Sequence, residues 1–425
     1  MSIISVKSKI DNGLYNDEFQ LLYSNVDNSK ERYLSACDEF AKIFNGDRDI
    51  YLFSAPGRTE IGGNHTDHQR GCVLAGSVNL DVIAIVAKNN DNIVRIKSEG
   101  FPMDEVDLSN LSSNECGFGT SASLIRGMCS ILKDMGYEVN GFDAYTTSNV
   151  LKGSGLSSSA AFEVLVGVII NGLFNNNKLD AITIAKVAQK AENVFFGKPC
   201  GLMDQMASSV GSIVSIDFED TENPIINKVQ FDLSKENHSL CIVNTGGNHA
   251  NLTDDYADIT VGCKKVAEFF GKDVLRQVDE KEFYTNLKKL RENVSDRAIL
   301  CAIHFFDENK RAIQLANELN KDNFDEFLKV IKESGNSSFK YLQNVYSARF
   351  PNEQGLSVAL ALTERFLNGR GACRVHGGGF AGTIQAFVPN DILAEYKQMI
   401  EYVFGENNCY ILNIRQIGGY AFSQK

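Results

Sequence analysis

A chain of 425 residues is too long for one compact core and predicts two closely joined domains. With 43% hydrophobic and 23% charged residues it has the make-up of a globular protein. Its net charge of −12 argues against a polyanion partner such as nucleic acid, which favours a clustered basic face. The ten cysteines are scattered without a Cys-x-x-Cys pair, so neither a zinc site nor a disulfide scaffold is signalled. The N-terminus lacks the basic head and apolar core of a signal peptide, and apolar stretches fall short of the ~18 residues a membrane helix needs. A cytoplasmic protein with no membrane partner is expected.

Residues 1–49 read as a helical extension packed on the core, with Leu34, Phe40, Ile43 and Phe44 offering an apolar stripe. Tyr51-Leu-Phe-Ser-Ala then reads as a strand closed by Pro56-Gly57. A polar segment follows, with Arg58, Glu60, Asn64, His65, Thr66, Asp67 and His68 close together. A solvated loop is the plain reading, yet apolar Gly71-Cys-Val-Leu-Ala comes directly after it. Such a density of short polar side chains suits the hydroxyls of a sugar. Tight sequential spacing suits a tetrahedral metal site poorly. Residues 78–88, Ile93–Ser98 and 143–150 read as further strands. Strands precede helices here rather than alternating with them one for one, which predicts α+β architecture.

Residues 151–163 read Leu-Lys-Gly-Ser-Gly-Leu-Ser-Ser-Ser-Ala-Ala-Phe-Glu, with an apolar run to Phe174. Strand, glycine turn and serine-led helix is a geometry that binds phosphate, because backbone N–H groups and the helix N-terminus face the anion. A helix cap needs one serine, whereas Gly153, Gly155 and three consecutive serines exceed that need. Serine hydroxyls can also ligate Mg²⁺. Residues 180–196 have helical spacing, with Asp180 as cap and Gly197-Lys-Pro as terminator. Glu192 lies near that helix's end, where a carboxylate opposes the macrodipole but suits a neighbouring Mg²⁺–phosphate complex. Asp204 opens a short helix, and cap and catalyst are equal readings for it.

A second half begins near Ser239, with a strand at 240–244, helices over 254–367 and strands at 373–375, 383–388 and 411–417. The segment Cys373-Arg-Val-His-Gly-Gly-Gly-Phe-Ala-Gly382 matches G-x-G-x-x-G formally. A strand follows it where the dinucleotide fingerprint requires a helix, so it reads as a glycine-rich hairpin or loop approaching another domain's site. No G-x-x-x-x-G-K-[ST], H-R-D or D-F-G is present.

Together and in this order, Pro-Gly-Arg…His-Thr-Asp, Gly-Ser-Gly-Leu-Ser-Ser-Ser-Ala and Arg-Val-His-Gly-Gly-Gly-Phe-Ala-Gly resemble the galactokinase branch of the GHMP small-molecule kinases, from about residue 50 to the end. The resemblance implies an α+β, two-domain GHMP kinase fold with the active site between the domains. Residues 50–237 would be like ribosomal protein S5 domain 2 and residues 238–425 ferredoxin-like, with 1–49 as the extension. It also implies ATP- and Mg²⁺-dependent phosphorylation of a sugar, galactose foremost, at its C1 hydroxyl by a monomer. Asp204 would be the general base, with Arg58 beside it and the γ-phosphate. Gly153, Ser154, Gly155, Leu156, Ser157, Ser158 and Ser159 would cradle the nucleotide phosphates, and Ser159 and Glu192 would hold Mg²⁺. Asn64, His65, Thr66, Asp67, Gly201 and Tyr256 would surround the sugar.

The family usually reads Arg-Val-Asn-Leu-Ile-Gly-Glu-His-Thr-Asp, whereas this chain has Arg58-Thr-Glu-Ile-Gly-Gly-Asn-His-Thr-Asp67. Asn64 thus stands in place of the sugar-facing glutamate and Glu60 in place of an asparagine. Asparagine loses a charge-assisted bond worth roughly 1.5–3 kcal/mol. That implies either altered treatment of the sugar's C6 position or a lineage variant in which Glu60 compensates. A kinase for another sugar (N-acetylgalactosamine, another hexose or a pentose) and a non-catalytic sugar and ATP sensor are the alternatives. A sensor would be free to lose Arg58, the serines, Glu192 or Asp204, and none is lost.

Overall fold

The computed structural model describes residues 1–23, 25–112, 117–150, 155–198, 200–247 and 252–424. The N-terminal extension forms α1 (Ile3–Asp11), α2 (Asn16–Leu22) and α3 (Val26–Phe44). Ser2 and Asn25 cap α1 and α3 by accepting from the N–H groups of Ser5 and Asn28. The face of α3 that is buried carries Tyr33, Ala36, Cys37 and Phe40. Of the expected stripe, only Phe40 is fully inside; Leu34, Ile43 and Phe44 flank it, half-buried. The aromatic rings decide the rotation, because Tyr33 packs against Phe19 and Phe422 with centroids 5.2 Å from each. This layer covers Leu52, Ile83, Ile85 and Tyr145 on the outer face of the first sheet.

Among the described residues that sheet has eight strands: β1 (Tyr51–Gly62), β2 (Cys72–Lys88), β3 (Ile93–Ser98), β4 (Met103–Asp107), β5 (Phe142–Ser148), β6 (Ile213–Asp217), β7 (Ile225–Val229) and β12 (Tyr420–Ala421). Its path is β12-β1-β2-β5-β3-β4, with β6 pairing β2 and β7. Pro56-Gly57 does not close β1 as expected. The strand runs on, with a register shift between Pro56 and Arg58. Gly57 is required for a different reason: a Cβ there would stand 2.9 Å from the Leu156 carbonyl oxygen.

On the sheet's inner face lie α4 (Ser121–Asp134), α5 (Ser158–Phe174), α6 (Ala181–Ala191) and α7 (Met203–Val210). The apolar run of α5 is buried all round, between β1 and β2 on one side and α4, α6 and α7 on the other. Asp180 caps α6, accepting from Thr183 N–H at 2.7 Å.

The second sheet is antiparallel, in the order β11 (Cys409–Leu412), β8 (His238–Asn244), β10 (Thr383–Pro389), β9 (Ala372–His376). Alternate residues of β8 face opposite ways. Cys241 and Val243 meet α13 (Gly355–Leu367) and α14 (Leu393–Phe404), while Leu240 and Ile242 join the core shared with α12 (Phe324–Ser337) and the first sheet. The helices α8 (Thr253–Phe269), α9 (Glu280–Thr285), α10 (Leu287–Asn293) and α11 (Asp296–Asn320) enclose a separate apolar cluster around Ile259, Val266, Phe283 and Phe305. The strand expected over 411–417 is split. β11 ends at Leu412, Ile414 bridges Val78, and the tail returns to the first sheet as β12 on β1.

α11 also fixes the turn after β1 with buried polar groups. His304 donates from Nε2 to the Asn64 carbonyl at 3.0 Å, and Glu308 accepts from Gly63 N–H at 3.1 Å and from Arg311 Nε at 2.7 Å. Burial lowers His304 from 6.5 to about 4. Burial pushes Glu308 up, but Arg311 and its neighbours outweigh this and bring it from 4.5 to about 2. Both folded values lie below the unfolded ones, so both contributions are present at neutral pH and are lost on acidification. His304's contribution is lost between pH 6.5 and 4 and Glu308's between 4.5 and 2, each on the order of 3 kcal/mol. The thermal midpoint should therefore fall steadily from pH 7 to 4. His304→Gln should flatten the upper part of that fall, and an unchanged slope would sink the assignment.

Candidate active site

Arg58 comes from the bulged middle of β1 and Asp204 from the first turn of α7. Asp204 does not cap that helix. Its carboxylate takes a bidentate pair from Arg58, Nε to Oδ1 and Nη2 to Oδ2, both at 2.7 Å. The side chains are 10% and 29% exposed, so the pair sits inside a site that solvent still reaches. Burial pushes the Asp204 carboxyl up, but the Arg58 charge and hydrogen bonds, with the Ser157 hydroxyl, hold it below its ordinary value.

The same arginine braces the loop before α5. Its Nη1 donates to the Gly155 carbonyl, and its backbone N–H donates to the Leu156 carbonyl at 3.0 Å. Gly155 has φ +72° and Ser157 is left-handed at φ 54°, which turns the chain sharply into the helix. Among the described residues the Ser157 side chain makes no capping bond, and a helix start of this kind can receive an anion. Leu156 is buried and takes part through its backbone, while Ser158 and Ser159 form the half-buried first turn. Gly153 and Ser154 lie outside the described residues.

Glu192 ends α6 and begins a π-helical turn (Glu192–Phe196). It is 3% exposed, and its oxygens accept from Gln205 Nε2 at 2.8 Å and Lys198 Nζ at 3.1 Å. Gln205 Nε2 also reaches Glu163 at 3.1 Å. Burial, then Glu192, pushes Glu163 up to about 8. The other Glu163 oxygen, Oε1, is buried with no partner among the described residues. Ser159 and Glu192 belong to helices packed on each other, and the donor set is oxygen throughout, which fits a hard divalent cation.

The polar segment after β1 meets the β9–β10 hairpin. Three successive carbonyls there accept three side chains: Gly377 from Asn64 Nδ2 at 2.7 Å, Gly378 from His65 Nε2 at 2.9 Å and Gly379 from the Tyr256 hydroxyl at 2.9 Å. Asn64 is wholly buried and also donates to Glu60 Oε1 at 2.9 Å, while its own oxygen accepts from Asn344 at 2.8 Å. Its polar atoms are thus engaged within the protein, and Glu60 is ion-paired with buried Arg374 at 2.7 Å. Thr66 is buried too, its hydroxyl closing the turn onto the Gly63 and Cys72 carbonyls. Asp67 remains partly open, and a Cβ on Gly201 would come within 2.5 Å of its Oδ2. Gly201 is therefore required by the approach of that carboxylate.

Sequence reasoning passed over Arg374, Asn344, Glu163, Gln205 and Lys198. Arg374 stood inside the quoted glycine segment and Lys198 inside the helix terminator. Asn344 lies in the helical stretch without any local signal.

The GHMP kinases N terminal domain family matches residues 123–212, and the galactokinase galactose-binding signature matches residues 38–88. The chain is 30% identical to the galactokinase of Clostridium tetani over 368 residues, 85% of this chain and 90% of the relative. It is 30% identical to the galactokinase of Streptomyces coelicolor over 332 residues, 78% of this chain and 83% of the relative. Lactococcus lactis galactokinase complexed with galactose superposes with a TM-score of 0.77 at 24% identity, covering 91% of this chain and 99% of that one. A mevalonate kinase does so at 0.59 and 15% identity, covering 85% and 99%. These structures share the GHMP kinase fold, and with identity of this extent to curated relatives the chain belongs to the galactokinase family.

Proposed function

We propose that this protein is an ATP-dependent sugar 1-kinase that transfers the γ-phosphoryl group of ATP to the C1 hydroxyl of galactose. The observation that carries this reading is the bidentate Arg58–Asp204 pair set against the uncapped start of α5. Asp204, held ionised, accepts the proton of the C1 hydroxyl as that oxygen attacks the γ-phosphorus and ADP leaves. Arg58 orients the carboxylate and offsets charge on the transferring group. The N–H groups and hydroxyls of residues 157–159, with Gly153, Ser154, Gly155 and Leu156, cradle the nucleotide phosphates. Ser159 and Glu192 would hold Mg²⁺, which when bound neutralises phosphate charge. His65, Asp67, Tyr256 and Gly201 line the sugar, while Asn64 and Thr66 act from within by holding the turn that presents them.

The division into 1–49, 50–237 and 238–425 belongs to the same proposal, as does work in the cytoplasm as a monomer. Free thiols at every described cysteine suit a reducing compartment. No helix among the described residues is long and apolar enough to cross a membrane.

The test is turnover of purified protein with ATP and Mg²⁺ against galactose, 2-deoxygalactose, 6-deoxygalactose, N-acetylgalactosamine, glucose and arabinose, reading ADP release and the phosphorylated position. Galactose should be preferred, with a 1-phosphate product. Since Asn64 is engaged inside the protein, loss of the C6 hydroxyl should lower kcat/KM by less than about tenfold. A larger loss would place Asn64 or Glu60 on the sugar. Binding of sugar and ATP without turnover would replace the enzyme by a sensor.

A further inference from the structure

The buried imidazole of His376 joins all three chemistry-bearing segments, and the mechanism above makes no use of it. His376 ends β9, is 2% exposed and pairs in register with Thr383 at the start of β10. Its Nδ1 stands 3.0 Å from the Thr383 hydroxyl, and its Nε2 stands 3.0 Å from the hydroxyl of Thr59, the neighbour of Arg58 in β1. Thr59 Oγ1 also accepts from Gln385 Nε2 at 2.8 Å, and among the described residues His376 Nε2 is the acceptor within reach of its own proton. The ring proton then sits on Nδ1 and goes to Thr383.

The flank of this ring carries the phosphate loop. A Cβ built on Gly155 would lie 3.0 Å from His376 Nδ1 and 3.2 Å from both its Cε1 and the Thr383 hydroxyl. Gly155 is thus seated against the imidazole, while Arg58 holds its carbonyl from β1.

We infer that His376 is a positioning residue for phosphoryl transfer, a neutral prop that sets how far the Gly155 turn stands from Arg58 and Asp204. The inference rests on the phosphate-loop reading above. No contact between His376 and a substrate is involved. The ring acts through Gly155 and Thr59, so its effect falls on the nucleotide side of the reaction. Burial, then Arg58 and Arg374, holds the imidazole well below its ordinary value, which keeps the prop uncharged beside two guanidinium groups and the Asp204 carboxylate.

The test compares full-length wild type with His376→Ala, His376→Asn and His376→Gln. Steady-state kinetics are read alongside calorimetric binding of ADP and of galactose. His376→Ala should weaken ADP and raise KM for ATP at least tenfold while galactose affinity changes less than twofold. His376→Asn, which can still donate to Thr383, should recover part of the nucleotide affinity. Ring ¹⁵N shifts of wild type should report the Nδ1–H tautomer with no titration between pH 5 and 8. If His376→Ala does not fold, His376→Asn and His376→Gln carry the comparison. Equal losses for ADP and galactose, tracking the unfolding midpoint, would make the role merely structural and overturn the inference. So would ADP binding by His376→Ala equal to that of a wild type that binds ADP normally. A wild type that binds no nucleotide would overturn the phosphate-loop reading as well.

Discussion

Asp204→Asn should lower turnover by at least roughly a hundredfold while leaving galactose and ATP binding nearly intact, as follows from removal of a general base. Asparagine preserves the volume of the side chain and one acceptor for Arg58. It removes the negative charge that now accepts from Arg58 Nε and Nη2, and its amide cannot take a proton from the sugar hydroxyl. The loss should therefore appear in kcat rather than in the dissociation constants, the pattern of an interaction needed only as the reaction proceeds. Steady-state kinetics paired with calorimetric binding of each substrate separate the two. A variant within threefold of wild-type turnover would remove Asp204 from the mechanism.

The second large effect is on stability. Asp81 is wholly buried on β2 and gathers Arg32 of α3, the Tyr23 hydroxyl, Ser54 of β1 and Arg415 of the C-terminal tail. Arg32 continues from there to the Asp81 and Thr147 carbonyls, at 3.1 Å each. One carboxylate thus ties the N-terminal extension, the first sheet and the returning tail together. Asp81→Ala would leave Arg415, itself 2% exposed, without its counter-charge, at a cost of about 3–5 kcal/mol. That is a large part of the stability of an ordinary domain. The urea midpoint should drop accordingly, and residues 1–49 should become the first site of proteolysis. Joint replacement as Asp81→Leu with Arg415→Met should be milder than Asp81→Ala, because the fully buried charge is removed with its partner and only Arg32, whose side chain is 21% exposed, loses its counter-charge. A single substitution costing less than 1 kcal/mol would show that the network is not what holds the extension.

Elements whose cause is local were legible in the sequence. The spacing of 180–196 and the cap at Asp180 led to α6, and Ile93–Ser98 was bounded as observed. The glycine segment after Arg374 was recognisable as a hairpin or loop because a strand, not a helix, follows it, and the pairing of β9 with β10 makes it a hairpin. Errors came where a distant neighbour decides. Pro56-Gly57 looks like a turn, yet it is a bulge in a continuous strand, since β2 supplies pairing on both sides and the Leu156 carbonyl requires a glycine. Ile411 and Ile417 look alike in sequence. Only the first lies in β11, because Arg415 between them is drawn inward to Asp81.

The order of the three motifs carried the family, since a glycine turn, a serine-led helix start and a run of short polar residues are properties of contiguous segments. Whether Asp204 was a cap or a catalyst was undetermined by its neighbours. The cap is excluded by the structure, where Arg58, 146 positions away, holds the carboxylate instead. Asn64 likewise carries the same side chain whether it faces a sugar or the interior, and Asn344, Glu60 and the Gly377 carbonyl turn it inward. A backbone preference is written into a few adjacent residues. The direction of a charged or amide side chain depends on which opposite charge or unpaired carbonyl the fold brings within about 3 Å, and that is a property of the tertiary structure alone.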